Sequence, residues 1–564
     1  MAHAIKQSVH SRIAASLPQG ANLRKHLTFW TAAAVVLTVA VTAPLVYILI
    51  HLFSSDWETW RHLASTVLWE YSKNTLILVL GVGALTFIIG VSTAWLTSVF
   101  EFPGSRFFAW ALILPLAIPG YIMAHIYAGV FDFTSPIQTF LRELFSTSDG
   151  QVFYIDVMHI EIIVVILALA LYPYVYLITR ISFSKQSATL LEAARLHGKS
   201  SWNIFRRVAL PLARPAIFAG LALVLMEVLN DYGAVKYFGV PTFTTGIFRA
   251  WLSLGDKNAA VSLAAVLLVF VIAVLALEKS QRGRLRFDKG SLQPRVFAKV
   301  QLKGVRAGLA FAVCAIPVTL GFILPVLQLG LWAGETAGRV VNADFFLLTL
   351  NSFLLASGAS IVCLVAAILI VYAARLNQTH FMRSMTKISA LGYSIPGAVI
   401  AIGVMAPFGK IDQFVISWTE NYFGFSTGLL LSGTIFALMF AYLVRFLAVS
   451  LNPVSSGFAN TCNNVDEASR SLGVSPLKTL FKIDLPILKG AIFGAMLLVF
   501  VDVLKELPLT LILRPFNFDT LAVKAFELAS DELVAESANA SLVIILTGLA
   551  PVIMLNRLMT KDPK

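Results

Sequence analysis

Long apolar runs recur along almost the whole chain, and they constrain its fold more than any other feature. A helix needs about 20 mostly apolar residues to cross the hydrocarbon core of a bilayer. Runs of that kind lie near 28–52, 74–100, 108–131, 160–182, 214–232, 259–277, 307–332, 348–374, 386–408, 427–451, 487–505 and 540–558. Because unpaired backbone groups are costly in hydrocarbon, these runs predict an all-α polytopic membrane protein. Polar residues interrupt the fifth and eleventh runs.

The composition excludes most soluble classes of protein. Hydrophobic residues make up 58% of the 564 residues and charged residues only 13%, against about 25% charged residues in soluble domains. Three cysteines, Cys314, Cys363 and Cys462, are too few for a disulfide framework. The net charge of +13 is not gathered in a soluble basic domain, so we expect no nucleic-acid partner.

The distribution of basic residues predicts which loops face the cytoplasm, because cationic loops are retained there. Basic residues are concentrated in the tail 1–27, after the second and fourth runs, and in the segment 278–306, whereas 519–536 is acidic. Both termini, including 559–564, are therefore expected in the cytoplasm. This retention explains the basic segment without a lipid-headgroup or nucleic-acid patch. The first run exceeds the roughly 7–15 residues of a signal-peptide core, so we expect it to stay as a span.

The chain contains an internal repeat. A shift of 275 residues aligns 192–211 with 467–486 without a gap, so that Glu192 meets Glu467 and Gly198 meets Gly473. A shift of 277 aligns the Ile-Pro-Gly sequences that end at Gly120 and Gly397.

The repeat predicts two tandem six-helix transmembrane domains, 28–277 and 307–558, joined by a basic cytoplasmic linker at 278–306. An even number of spans inserts both copies the same way up, related by a pseudo-two-fold axis along the membrane normal. Substrate sites in such proteins lie near the bilayer midplane where the halves meet.

Each copy has a polar loop between its fourth and fifth spans, at 185–211 and 460–486. Helical spacing on either side of Gly198 and Gly473 predicts two short helices joined by a left-handed turn. Ser200 or Ser201, and Ser475, are placed to cap the second helix. We expect the Leu-Pro pairs ending at Pro211 and Pro486 to start the following spans.

These loops have two interpretations. A single loop of this kind is equally well explained as an amphipathic connector on the membrane surface. Two loops at matched positions favour helices that dock into grooves on two soluble partner subunits. The sequence Gly198-Lys199-Ser200 also resembles the end of a phosphate-binding loop, but that motif needs glycine where the chain has Ala193. We therefore expect no nucleotide site in this chain.

The pattern Glu-Ala-Ala, three residues, Gly and a helix ending in Leu-Pro resembles the EAA loop of permease subunits in bacterial ABC importers. The similarity covers nearly the whole chain, each half resembling one binding-protein-dependent permease domain of the type I importer fold. This resemblance implies an inner-membrane location and two copies of a cytoplasmic ATPase whose closure drives alternating access. The coupling residues that it implies are Glu192, Ala193, Ala194, Gly198, Glu467, Ala468, Ser469 and Gly473. Ser469 departs from the family's alanine, but it is also small.

Four acidic residues are candidates for a substrate pathway: Glu227, Asp231, Asp502 and Glu506. Glu227 and Asp502 occupy equivalent repeat positions, each 13 residues after a basic residue, which corresponds to about 20 Å of helix. Charges at that depth are costly unless they face water or a partner, so they suggest a functional site for a cation. The alternative is that both spans are short, that these segments have reached the periplasmic surface, and that Lys505 pairs with a neighbour.

The segments 229–251 and 502–532 resemble those of ferric-iron importer permeases in which both halves are fused. This resemblance implies ferric iron as the substrate and a periplasmic ferric-binding protein that docks on the outer loops 232–258 and 505–538. Permeases for thiamine, sulfate, polyamines and phosphonates share the double-loop plan and remain alternatives.

We expect neither a resident metal nor any other cofactor, because His125, His159 and His197 are isolated from further ligands. No catalytic arrangement is apparent, so the chain is expected to be a permease rather than an enzyme. A secondary transporter driven by an ion gradient is the main rival, and a membrane scaffold that transports nothing is a third reading.

Overall fold

The computed structural model describes residues 29–54, 57–145, 155–185, 200–282, 299–459, 468–469 and 471–560. Within these ranges, ten helices are long and apolar enough to cross a membrane. Two further pairs of helices, bent by 91° and 79°, raise the number to twelve if each pair is one span. The prediction of an all-α polytopic membrane protein is confirmed.

In the first half, the helices are Phe29–Ser54, Trp57–Thr66, Leu68–Val99, Ser105–Ala111, Gly120–Val130, Pro136–Phe145, Ile160–Lys185, Ser201–Ile204, Leu210–Asn230, Gly233–Tyr237, Phe243–Phe248 and Lys257–Arg282. A 3₁₀ turn occupies Leu114–Ala117, and π-helical turns occupy Phe205–Ala209 and Arg249–Ser253. The turn Phe205–Ala209 continues one helix into the next, so that Ser201–Asn230 forms one span.

In the second half, the helices are Val305–Val318, Leu324–Val340, Ala343–Leu376, His380–Ser389, Gly397–Phe423, Ile435–Ala459, Pro476–Thr479, Leu485–Ile487, Lys489–Leu504, Pro508–Leu513, Leu521–Ser530 and Val534–Thr560. A 3₁₀ turn occupies Leu391–Ser394, and π-helical turns occupy Thr319–Ile323 and Leu480–Asp484. The repeat is visible in this order, since Ile160 and Ile435 start equivalent helices and Gly120 and Gly397 do so as well.

The ninth span differs from the predicted run 386–408. The chain instead forms the amphipathic helix His380–Ser389, turns, and starts a new helix at Gly397 that continues to Phe423. Pro396 explains the break, because proline cannot continue a helix but is well suited to precede one. Hydropathy alone merges the apolar residues on either side of that proline.

The first helix of each half packs against the other half. Phe29–Ser54 contacts both Ala343–Leu376 and Gly397–Phe423, and the hydroxyls of Thr38 and Ser389 lie 2.9 Å apart. In the opposite direction, the Tyr127 hydroxyl donates to the backbone oxygen of Leu320 at 2.6 Å. This exchange fixes the two halves face to face.

Two helix ends fall inside the predicted linker 278–306, since one helix extends to Arg282 and the next begins at Val305. Residues 283–298 lie outside the described ranges. The end of the linker forms a two-residue parallel strand pair, Phe100–Glu101 with Val300–Gln301. Lys299 also donates to the backbone oxygen of Thr97 at 2.8 Å. The end of the linker and the loop after the span Leu68–Val99 therefore lie on the same side of the protein.

Candidate functional site

A cavity of about 90 Å³ lies between the two halves. The first half contributes Tyr174, Glu227, Asn230 and Asp231, and the second half contributes Tyr393, Arg445, Asp502, Lys505 and Glu506. The structure thus brings all four predicted acidic pathway residues together around one space.

Two of the four acidic residues, Asp231 and Glu506, accept hydrogen bonds from backbone N–H groups. Asp231 Oδ1 accepts hydrogen bonds from the backbone N–H groups of Ala234 at 3.0 Å and Val235 at 3.2 Å. Glu506 Oε1 accepts one from Leu509 at 3.2 Å, at the repeat-equivalent place. Both carboxylates therefore cap the short helix that follows them, which gives them a structural role within the cavity wall.

Arg445 joins the halves at the cavity. Its Nε lies 3.4 Å from Glu506 Oε2, and its guanidinium donates to Asn230 Oδ1 at 2.9 Å. The same Asn230 oxygen accepts the N–H of Gly397 at 2.7 Å. The sequence analysis missed this residue, although an arginine inside an otherwise apolar span is a signal that could have identified it.

The other two acidic residues, Glu227 and Asp502, differ in their partners. Lys505 Nζ lies 2.8 Å from Asp502 Oδ1. In the part of the chain that the structure describes, the Glu227 side chain makes neither a hydrogen bond nor an ion pair. The side chain of Asp502 is 17% exposed and lines the cavity between the halves, and its depth in the membrane stays a prediction. Lys505 does pair with a neighbour, but it does so at the cavity.

The charge of the cavity favours cations. Its wall carries four carboxylates and two basic side chains, a formal net charge of −2. Both basic groups are already engaged, Arg445 with Glu506 and Lys505 with Asp502. An anion would find no unpaired basic side chain among these residues, whereas a cation would find the Glu227 carboxylate.

A second cavity of about 380 Å³ adjoins the first. The two share Tyr174, Tyr393, Asp502 and Lys505. The second is also lined by Asn452 and Pro453, which lie on the helix that ends at Ala459. It therefore leads from the acidic residues toward the polar loop at 460–486.

Aromatic side chains cover the opposite end of the small cavity. Tyr232, which lines that cavity, stacks on Phe248 with ring centres 3.6 Å apart and lies 5.7 Å from Phe526. Behind it, His125 is 2% exposed and lies 5.8 Å from Phe526 and 4.5 Å from Tyr237. We call Tyr121, His125, Tyr232, Tyr237, Phe248 and Phe526 the aromatic layer.

Beyond the aromatic layer lies a cavity of about 1200 Å³, lined in part by Tyr237. Its charged residues are Asp132, Lys236, Glu335, Glu532 and Glu536. Hydrogen bonds from Thr134 lower the pKa of Asp132 below its usual value, which keeps that carboxylate ionised. Within the described ranges, no group of three or more His, Cys, Asp or Glu side chains is arranged to hold a metal ion.

The polar loops are described only in part. Glu192, Ala193, Ala194, Gly198 and Glu467 lie outside the described residues, whereas Ala468, Ser469 and Gly473 lie within them.

Gly473 has φ +72°, the left-handed conformation predicted for the turn in the second loop. The hydroxyls of Ser469 and Thr479 lie 2.6 Å apart across this turn, and the Tyr372 hydroxyl donates to the backbone oxygen of Pro476 at 2.7 Å. The repeat-equivalent residues of Ser469 and Thr479 are Ala194 and Ile204, so a hydroxyl pair takes the place of two apolar residues.

The first loop corrects one expectation. Ser200 accepts the N–H of Asn203 at 3.3 Å and starts a helix, as predicted. That helix does not stop before Leu210-Pro211 but continues through it to Asn230, because Pro211 sits where a π-helical turn already leaves the hydrogen-bond ladder irregular. In the second copy the break comes after Pro486, at Leu488.

Large apolar side chains project from the second loop. Leu472, Leu477 and Phe481 are all more than half exposed, and so is Trp202 in the first loop.

The chain is similar to known transport permeases. Residues 86–279 match the family model described as "Binding-protein-dependent transport system inner membrane component". The chain is 24% identical over 494 residues to the Fe(3+)-transport system permease protein FbpB 2 of Haemophilus influenzae, covering 86% of this chain and 90% of that protein.

Two further relatives have other descriptions. The probable ABC transporter permease protein y4fN of Sinorhizobium fredii is 22% identical over 77% of this chain and 78% of its own length. The sulfate transport system permease protein CysW of Escherichia coli is 25% identical over 34% of this chain and 64% of its own length.

The buried contacts of Arg445 generate a stability prediction. Arg445→Met should destabilise the protein by about 3–5 kcal/mol, because it leaves the Glu506 carboxylate buried without its cation. Adding Glu506→Gln, which retains an oxygen to cap Leu509, should recover much of that loss. Thermal unfolding in detergent measures both effects. Arg339→Met, at an exposed position, is the control. Additive losses in the double variant would contradict the pairing.

Proposed function

We propose that this chain, an ABC importer permease of the binding-protein-dependent type, moves ferric iron across the bacterial inner membrane by alternating access. A periplasmic binding protein delivers the iron, and two copies of a separate cytoplasmic ATPase supply the energy, since we infer no nucleotide site or cofactor in this chain. Both termini face the cytoplasm. The transmembrane domains are 28–277 and 307–558.

The net negative cavity between the halves carries the substrate proposal. A ferric ion is a hard cation that prefers oxygen ligands, and the cavity offers the carboxylates of Glu227 and Asp502 beside the hydroxyls of Tyr174 and Tyr393. Sulfate and molybdenum permeases also resemble this chain, but an oxyanion needs basic groups or N–H donors that are not already engaged. The paired state of Arg445 and Lys505 argues against an oxyanion.

The coupling proposal rests on the two polar loops. The apolar side chains of Leu472, Leu477 and Phe481 suit a hydrophobic groove on a soluble partner. We assign the contact with the ATPase to both loops, and we assign coupling roles to Glu192, Gly198, Glu467 and Gly473. A secondary transporter would need no such pair of loops.

Uptake by reconstituted protein tests the substrate and the energy source together. Proteoliposomes would contain the permease and its ATPase, with a ferric-loaded binding protein on the outside. We expect uptake of iron that requires both ATP and the binding protein, and no uptake of sulfate or molybdate. Uptake driven by a proton or sodium gradient alone would support the secondary transporter, and no uptake at all would favour the scaffold.

The same assay tests Glu227 and Asp502. In Glu227→Gln/Asp502→Asn, iron uptake should fall by about tenfold or more, because the pathway loses the charge that attracts a cation. ATP hydrolysis stimulated by the binding protein should persist, since the loops are unchanged. Glu420→Gln, at an exposed position, should leave uptake unaltered. Wild-type uptake in the double variant would remove both residues from the pathway.

The turn at Gly473 generates a coupling prediction. Gly473→Val should strongly reduce ATPase binding, because a β-branched residue is strained at φ +72°. Gly473→Asn should retain most of it, since asparagine tolerates the left-handed conformation. No atom of the described residues beyond its chain neighbours lies within 4 Å of a Cβ built at this position, so crowding by these residues does not explain a difference. Co-purification of the ATPase with each variant measures the effect, and equal binding would contradict the prediction.

A further inference from the structure

The two halves are unequal at one position of the cavity wall. Asp502 is the repeat equivalent of Glu227, and Lys505 is the equivalent of Asn230. In the first half, the Asn230 amide oxygen is occupied by Gly397 and Arg445. In the second half, the ammonium of Lys505 reaches back by one helical turn to Asp502, 2.8 Å away.

The ammonium of Lys505 is held differently from the guanidinium of Arg445. Arg445 is 6% exposed and contacts Asn230 and Glu506 at once. Within the described residues Lys505 forms one ion pair, is 29% exposed, and borders the adjoining cavity of about 380 Å³. A lysine side chain is flexible along four carbons, so its ammonium has both the reach and the space to leave Asp502 without unfolding the wall.

We propose that Lys505 is a tethered counter-cation, which occupies the Asp502 carboxylate while the pathway is empty and is displaced into the adjoining cavity by the transported cation. This inference rests on the proposed function and concerns the same site. Entry of a trivalent ion frees the ammonium from Asp502, and departure of the ion lets it return. The competition lowers the affinity of the site, and a pathway must bind its ion weakly enough to release it.

Terbium(III) is a suitable probe, because it is a trivalent cation that binds oxygen ligands and emits when excited through nearby tyrosines. Tyr174 and Tyr393 line the cavity beside Asp502 and Lys505. Titration of purified full-length permease with terbium measures affinity without transport. Only the signal that Asp502→Asn abolishes is assigned to this site, since the acidic cavity beyond the aromatic layer also contains a tyrosine, Tyr237.

In Lys505→Gln, we expect terbium to bind about tenfold more tightly than in the wild type, because the competing charge is gone. The gain should disappear in Lys505→Gln/Asp502→Asn. Lys257→Gln, which removes an exposed positive charge, is the matched control and should leave the affinity unaltered. Unchanged or weaker binding in Lys505→Gln would overturn the proposal.

Lys505→Arg keeps the test decisive if the glutamine variant does not fold. Arginine can pair with a carboxylate through two parallel hydrogen bonds and is harder to displace, so terbium should bind several-fold more weakly than in the wild type. Equal affinity in this variant would also overturn the proposal. Failure of ferric uptake in wild-type proteoliposomes would instead reject the proposed substrate, and it would leave the terbium comparison to stand on its own.

Discussion

The structure depends on how charge is accommodated between two largely apolar halves. A charge inside a membrane protein is tolerated only where it meets water or a partner, and here Arg445 meets Glu506 and Asn230 at the point where the halves touch. The Asn230 oxygen also receives the N–H of Gly397 at the start of a helix. One polar junction therefore ties together three helices and the turn that carries Glu506, and it leaves the Glu227 carboxylate facing the cavity.

The internal repeat explains the architecture, and its departures explain the site. Equivalent helices begin at Ile160 and Ile435. The equivalent acidic residues Asp231 and Glu506 each cap the short helix that follows them. The equivalent of Arg445 is Ala170, and the equivalent of Lys505 is Asn230. Both basic side chains of the cavity thus belong to the second half, so two similar domains enclose a site whose walls differ in charge.

Hydropathy and the repeat were sufficient to predict most of the spans, because each signal is spread over many residues. They also identified Glu227, Asp231, Asp502 and Glu506 as candidates for one pathway, because the acidic residues recur at equivalent repeat positions. They could not predict which acidic residues cap helices, because that depends on backbone N–H groups a few residues away. The start of the ninth span at Gly397 was missed for a local reason, as Pro396 breaks a run that is apolar on both sides.

Alternating access requires the cavity between the halves to open first to one side of the membrane and then to the other. Ala170 lines this cavity and is 2% exposed, so Ala170→Cys in a variant lacking Cys314, Cys363 and Cys462 places a small reporter there. A membrane-impermeant, positively charged thiol reagent would be applied from the periplasmic side. With the ATPase free of nucleotide, the aromatic layer should protect the cysteine, and with the ATPase trapped in its ATP-bound state the cysteine should react. Equal labelling in the two states would contradict the account.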